Sequence, residues 1–500
     1  MAVRAFFGHN DYPFCTDIAT YLNDQYQWKF CYFVGSESER KKTLERFPDA
    51  IFHLNRHAKK NEIPPECRKI KQAPLDKSLL TALSFHETIF LKMMDRLNID
   101  GSFTYQKRLF YYHTQVMFWK GMLDHFKPDI VIFRTAPHMG YDYVLYALCN
   151  VMEIKTIMFE RTSLPGLIYP VESFERGSEI ICNTYRKMIK EDHCDDFSLS
   201  DETLMHLKNL KKPYDQAQPF HLKHKLTYFR KSGALESPLA TYFLTLKVIA
   251  KGMLTRSEKL KKGYHQNIAN FKKRRLHSYY NQIAKDVDLK RPYIFVALQC
   301  EPERQTCPSG GVFGNQYIMI DLLSKLIPKG WMIYVKEHIS QFKSYQNAHL
   351  SRTAGYYDYI SSLPNVRLVP LSYTSFDLID KSIASATVSG TVGWESIVRG
   401  KPVLLFGYSW YRDCEGVFVT HSVDDCKKAL QHLQNGYRIN NDNVILFAHV
   451  IEKFSFKGYI DEVYSNMKHV THEQNVANIS SHIADFLNSS NLGKIEFGQE

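Results

Sequence analysis

The chain has 500 residues and a mass of 58.4 kDa, more than one hydrophobic core usually organises, so two or more domains are expected. Hydrophobic residues make up 44% and charged residues 23%, with 24 Gly and 19 Pro, which excludes collagen, low complexity and global disorder. The net charge of +12 is concentrated: residues 221–291 hold 17 Lys/Arg against 4 Asp/Glu, and the rest of the chain is close to neutral.

No window of about 18 apolar residues is long enough to span a bilayer, so a soluble, cytoplasmic protein is expected. The amino terminus MAVRAFFGHNDYPFC is interrupted by polar residues too early to read as a signal peptide. The ten cysteines contain no CxxC pair and several lie in apolar runs, as reduced buried thiols do. No cofactor and no metal site are expected. The 31 Tyr and 32 Phe suit large packed layers and stacking surfaces for a ligand's rings.

In chain order, β-type runs at 3–7, 28–34, 50–54, 129–134, 155–159 and 179–182 alternate with helical patterns at 79–97 and 105–126. This rhythm predicts a parallel sheet covered on both faces, over residues 1–195. Residues 196–290 read as a basic helical insertion without strands. Its mixture of Lys/Arg and apolar stretches suits an anionic partner, a membrane surface or a polyanionic glycan, or else a solvated linker; no nucleic-acid recognition motif accompanies it. A second alternating series follows over 291–470, with strands at 293–299, 331–336, 366–369, 385–389 and 402–406. Its helices are expected at 316–326, 375–381, 392–399, 423–434 and 443–467, and a helix at 474–487 lies in a carboxyl-terminal segment, 471–500. The fold class is therefore α/β, with two doubly wound domains.

Ligands of open α/β sheets bind beyond the carboxyl ends of the strands, so the loops there carry the candidate residues. Ser389, Gly390, Thr391 and Glu395 follow a strand and open a helix, where amides and hydroxyls converge into a phosphate site and a carboxylate can hold a ribose; helix capping explains the same residues. Lys336 and His338 stand two apart at another strand end and share a face there. Arg304, Ser309, Gly310 and Gly311 lie in a glycine-bearing loop that approaches a diphosphate, although its spacing matches neither the Walker A nor the dinucleotide pattern. In the first domain, His138 and Glu160 follow strands and are candidate general bases for an acceptor hydroxyl. Asp142, four residues after His138, is placed to orient that imidazole, and Gly8 to Asp11 add polar groups after the first strand.

The segments LQCEPERQT, YVKEHIS, SGTVGWESIVRGKPVLLFG and YSWYRD resemble the capsule polysaccharide synthesis family, which includes transferases of 3-deoxy-manno-octulosonate (Kdo). DIVIFRTAPH and IKTIMFE resemble the amino-terminal halves of related surface-carbohydrate proteins. The resemblance implies a GT-B arrangement, two Rossmann-like domains with the donor nucleotide on the carboxyl-terminal one. Lys336 and His338 stand where the family has Lys-x-His-Pro, while Ser389, Gly390, Thr391 and Glu395 match Ser-Gly-Thr-x-x-x-Glu; Ile339 replaces the usual Pro. The leading expectation is a metal-independent glycosyltransferase that moves a sugar from a nucleotide-sugar donor to a glycan or lipid-linked glycan acceptor, peripheral on the inner face of the membrane. A nucleotide-sugar epimerase and a non-catalytic capsule assembly or export factor are the alternatives.

Overall fold

The structure, a computed structural model, describes residues 2–10, 14–98, 102–191, 198–217, 258–343, 348–460 and 470–496. The basic stretch 221–257, Asp11 and the end of the helix expected at 443–467 lie outside the described residues.

Each alternating series builds its own sheet. In the first, β1 (Arg4–Asn10), β2 (Lys29–Gly35), β3 (Ile51–Leu54), β4 (Ile130–Ile132) and β5 (Lys155–Arg161) run parallel in the order β3-β2-β1-β4-β5, and β6 (Leu167–Val171) pairs antiparallel with β5. Helices cover both faces, so strands such as β1 are continuously apolar: Ala5, Phe6 and Phe7 are all buried. The second sheet is wholly parallel. It contains β7 (Tyr293–Ala297), β8 (Met332–Lys336), β9 (Val366–Leu368), β10 (Ala384–Thr387), β11 (Val403–Leu405) and β12 (Val417–Val419), in the order β9-β8-β7-β10-β11-β12. Both sheets reverse their strand order beside their first strand, which is the doubly wound topology and fixes a crevice at each reversal.

The chain then returns to the first sheet. β13 (Phe456–Lys457) pairs with β6, inside the span expected of the second domain, and the helix His472–Glu496 packs on the helix Phe14–Tyr26. Ile479, Ile483 and Leu487 enter the same apolar cluster as Phe14 and Ile18. A last helix that crosses back onto the first of two Rossmann-like domains makes the architecture GT-B-like. Among the described residues no helix is long and apolar enough to cross a membrane.

One feature differs from the sequence reading. Residues 179–182 form the first turn of the helix Glu179–Lys190 rather than a strand, because Ser178 caps it by accepting the Ile181 N–H and because Ile181 and Tyr185 bury one helical face. The described part of the basic segment packs on the second domain. Its helix Glu258–Ile283 lies along the second domain's helices Ser340–Lys343, Ala348–Ser351 and Ala354–Ser362, burying Lys273, Leu276 and Tyr280 and leaving Phe271 exposed.

Candidate active site

A cavity of about 320 Å³ opens at the carboxyl edge of the second sheet, where β7, β8, β9 and β10 end. Five of the expected residues line it together: Lys336, His338, Gly390, Thr391 and Glu395. Ser389 lies just behind, with its hydroxyl donated to the Gln305 carbonyl at 2.7 Å and its amide to Gln299 Oε1 at 3.3 Å. That pair of bonds stitches the loop after β7 to the turn after β10.

The turn explains its own glycine. A Cβ on Gly390 would stand 2.7 Å from Gln299 Nε2, so any side chain there would have to push Gln299 aside. The helix Thr391–Val398 starts there without a side-chain cap, and Thr391 and Val392 face the cavity. The Gly393 amide bonds back to the Gly390 carbonyl at 3.1 Å, whereas those of Thr391 and Val392 precede the first helical acceptor and can donate to an anion. Thr391 Oγ1 instead reaches Glu395 Oε1 at 3.5 Å, one turn along.

Lys336 and Glu395 form the charged centre of the cavity. Burial pushes the Lys336 ammonium down to about 8, against the pull of Asp377 and Glu395. Burial also pushes the Glu395 carboxyl up to about 7, against Thr391, Arg399 and Lys336. Both groups are thus desolvated without full compensation, and an anion beside Lys336 would stabilise its charge. His338 accepts the Ser340 N–H on Nδ1 at 3.2 Å, which places the proton of the neutral ring on Nε2.

Between Lys336 and His338, Glu337 turns inward into a buried ionic network with no signature in the local sequence. Glu337 accepts from Arg352 Nε and Tyr357 Oη at 2.8 and 2.7 Å, and its other oxygen accepts the His338 amide at 2.8 Å. Arg352, wholly buried, also donates to Glu301 at 2.8 Å and to the Gln299 carbonyl at 3.3 Å. Gln316 adds donors to Glu301 and Gln299. From the first domain, Lys92 reaches Glu301 at 3.1 Å. Burial alone would raise the Glu301 carboxyl, but Arg352, Lys92 and Gln316 hold it below the ordinary value. The network fixes the strand ends that carry Lys336, His338 and Gln299.

The remaining expected residues stand elsewhere. Arg304, Ser309, Gly310 and Gly311 do not line the cavity. Gly310 is pressed between the Thr306 carbonyl and Val388, and Gly311, at φ +51°, faces the Tyr408 ring. Arg304 donates to Thr135 Oγ1 of the first domain, and Ser309 shares a small hollow with Glu160, Tyr408 and Arg412. Burial raises the Glu160 carboxyl against the attraction of Arg304 and Arg161. The loop after β7 therefore lines the cavity at Glu303 and Gln305, bonds to Thr135 of the first domain through Arg304, and reaches the interdomain hollow at Ser309.

His138 bonds through Nδ1 to the Ala136 carbonyl at 2.8 Å, which leaves the basic lone pair on Nε2. The Asp142 carboxylate, in the first turn of the helix Tyr141–Val151, accepts the amides of His138 and Met139 in the preceding loop and of Tyr143 beside it. Among the described residues, no three His, Cys, Asp or Glu side chains converge as metal ligands, and the nine described cysteines form no disulfide with one another.

Comparison with solved structures gives three relevant neighbours. UDP-GlcNAc 2-epimerase from Methanocaldococcus jannaschii is 12% identical, covering 91% of this chain and 99% of that one, with a TM-score of 0.26. The beta Kdo 2,4 transferase of Thermosulfurimonas dismutans KpsC is 13% identical over 64% of this chain and 79% of that one, with a TM-score of 0.26. Its beta Kdo 2,7 transferase is 11% identical over 67% and 89%, with a TM-score of 0.25. None of the curated proteins matches the chain. The profile of the family described as capsule polysaccharide biosynthesis protein matches residues 249–443, which contain Lys336, His338 and the turn from Ser389 to Glu395. The protein thus resembles the capsule polysaccharide synthesis family over the segment that builds its cavity.

Proposed function

We propose that the protein is a glycosyltransferase of surface-polysaccharide synthesis that takes a nucleotide-sugar donor in the cavity beside Lys336. The observation that carries this reading is the convergence of a desolvated lysine, an uncapped helix start and a carboxylate one turn later, all in one hollow. Thr391, Val392 and Lys336 hold the phosphates, and Glu395 accepts from the ribose hydroxyls. When the bond between the anomeric carbon and the phosphate breaks, the negative charge left on the phosphate is taken up by Lys336 and the helix amides, without requiring a divalent ion. The acceptor oxygen bonds to the anomeric carbon and gives its proton to Glu160 or His138. Glu160 suits the role better, since the loop after β7 joins its hollow to the cavity and burial raises its affinity for a proton.

The acceptor is a glycan or a lipid-linked glycan. The exposed Phe271, Lys272, Arg274 and Arg275 of the helix Glu258–Ile283 bring the protein to an anionic membrane surface, where such acceptors are held. The test is incubation of the purified chain with CMP-, UDP-, GDP- and dTDP-sugars, with saturation-transfer NMR for binding and a glycan acceptor for turnover. Binding of one donor and acceptor-dependent release of its nucleotide are expected. Conversion of the sugar without an acceptor assigns an epimerase instead, and absence of any binding overturns the reading.

A further inference from the structure

The chain that links the two domains also builds part of the cavity wall. Tyr214, at the start of the short helix Tyr214–Ala217, lies outside both doubly wound series yet lines the cavity beside Phe376 and Glu395. Its ring meets Phe376 edge-on, with centroids 5.3 Å apart and planes at 88°. On Phe376 also lies the Arg399 guanidinium, 4.3 Å from the ring centroid.

Arg399 fixes the position of the linker. Its Nη1 donates to the carbonyls of Leu210 and Lys212 at 2.6 and 3.1 Å, while Nε pairs with Asp380 at 2.6 Å. A cation shared between two backbone carbonyls, a carboxylate and an aromatic face leaves the segment before Tyr214 little freedom. The aromatic wall is thus built before any ligand arrives. Glu395 interacts electrostatically with both the Lys336 ammonium and the Tyr214 phenol, so one carboxylate connects the cationic and the aromatic parts of the cavity. A phosphate, a polyhydroxylated ring and a planar apolar ring are the groups this succession accommodates.

Resting on the nucleotide reading given above, we infer that Tyr214 is a ligand-contacting residue that stacks on the donor's base, so that the interdomain linker, and not only the second sheet, determines nucleotide affinity. The inference is tested by calorimetric titration of the whole protein and of Tyr214→Ala and Tyr214→Phe with CMP, UDP, GDP and, as a ligand without a base, ribose 5-phosphate. Tyr214→Ala should weaken the preferred nucleotide by about 10-fold or more, as loss of one stacked aromatic does elsewhere, and leave ribose 5-phosphate within about 2-fold. Tyr214→Phe, which keeps the ring, should retain nucleotide affinity. Equal nucleotide binding by Tyr214→Ala overturns the inference while the nucleotide site stands. Parallel loss of both ligands also overturns it, since it marks a structural role. If the unaltered protein binds no nucleotide, the reading of the cavity falls and this inference with it.

Discussion

The two sheets share one topology but use their carboxyl edges differently. At the edge of the first, the described side chains stand close: a Cβ on Gly8 would lie 2.6 Å from the Phe133 ring, Phe133 lies against Tyr146, and the hollows beside Phe133 and Glu160 hold only about 10 and 20 Å³. At the edge of the second, polar loops stand apart around a cavity of about 320 Å³ and are held there by buried ions instead of apolar contact. Doubly wound topology creates a crevice at each reversal, but loop chemistry decides whether that crevice packs shut or stays open. An open crevice needs a rigid frame, because its loops cannot lean on a filled core.

The strongest way to break this contrast is to remove the frame. Arg352→Ala leaves Glu301 and Glu337 buried without their shared cation, and loss of one partner from a buried ion group costs about 3–5 kcal/mol. Urea unfolding followed by fluorescence should show that loss. Arg352→Lys, which cannot span Glu337, Glu301 and the Gln299 carbonyl together, should recover only part of it. An unchanged midpoint for Arg352→Ala would show that the loops hold themselves open.

Much of the cavity was legible because its residues are close in sequence. Lys336 and His338 end one strand, and Ser389 to Glu395 span one strand-to-helix turn, so periodicity and capping rules locate both. Bringing the two motifs together follows from the strand order, since β8 and β10 flank β7. Arg352, Lys92 and Tyr214 were not legible, because each reaches the site from a segment whose own pattern is that of an ordinary helix or linker. The glycines at 310 and 311 show a related limit of sequence reading. A glycine permits close approach without saying to what, and within the chain the neighbours of these two are the Thr306 carbonyl and the Tyr408 ring. The strand expected at 179–182 failed because four apolar-rich residues fit either period, and only the Ser178 cap and Tyr185 beyond them decide for a helix.

Within the open edge, Lys336 is the next largest target. Lys336→Ala should lower donor turnover by about 10²–10³-fold, the usual effect of losing one group that stabilises developing negative charge. Because its ammonium is desolvated in the empty cavity, Lys336→Met should at the same time raise the melting temperature of the ligand-free protein. Lower activity joined to higher stability would separate the cavity's purpose from its packing. A simple loss of stability would place Lys336 in the frame instead.

Gly390→Ala is a smaller perturbation of the same edge. Its new methyl must displace Gln299, and overpacking of this kind costs about 1–3 kcal/mol. Nucleotide affinity should fall with it, because Gln299 also accepts the Ser389 amide and so sets the turn that carries Thr391. The matching change in the first sheet, Gly8→Ala, presses on Phe133 and should lower stability with no effect on nucleotide affinity.

The finest test is the dependence of stability on pH. The folded protein holds the Glu395 proton up to about 7, above the ordinary carboxyl value of 4.5, so between those limits it binds more protons than the unfolded chain. Stability from this group is therefore fully present below about 4.5 and is lost as the pH rises through about 7. Glu395→Gln, neutral throughout, should remove that segment of the stability curve, and the difference between the two proteins' melting temperatures should level off above neutrality. A saturating nucleotide should flatten the curve as well, since ribose hydroxyls donated to the carboxylate favour its charged form. If the two pH profiles run parallel from 4.5 to 7, Glu395 is solvated in the folded protein and the cavity is wetter at its centre than its geometry indicates.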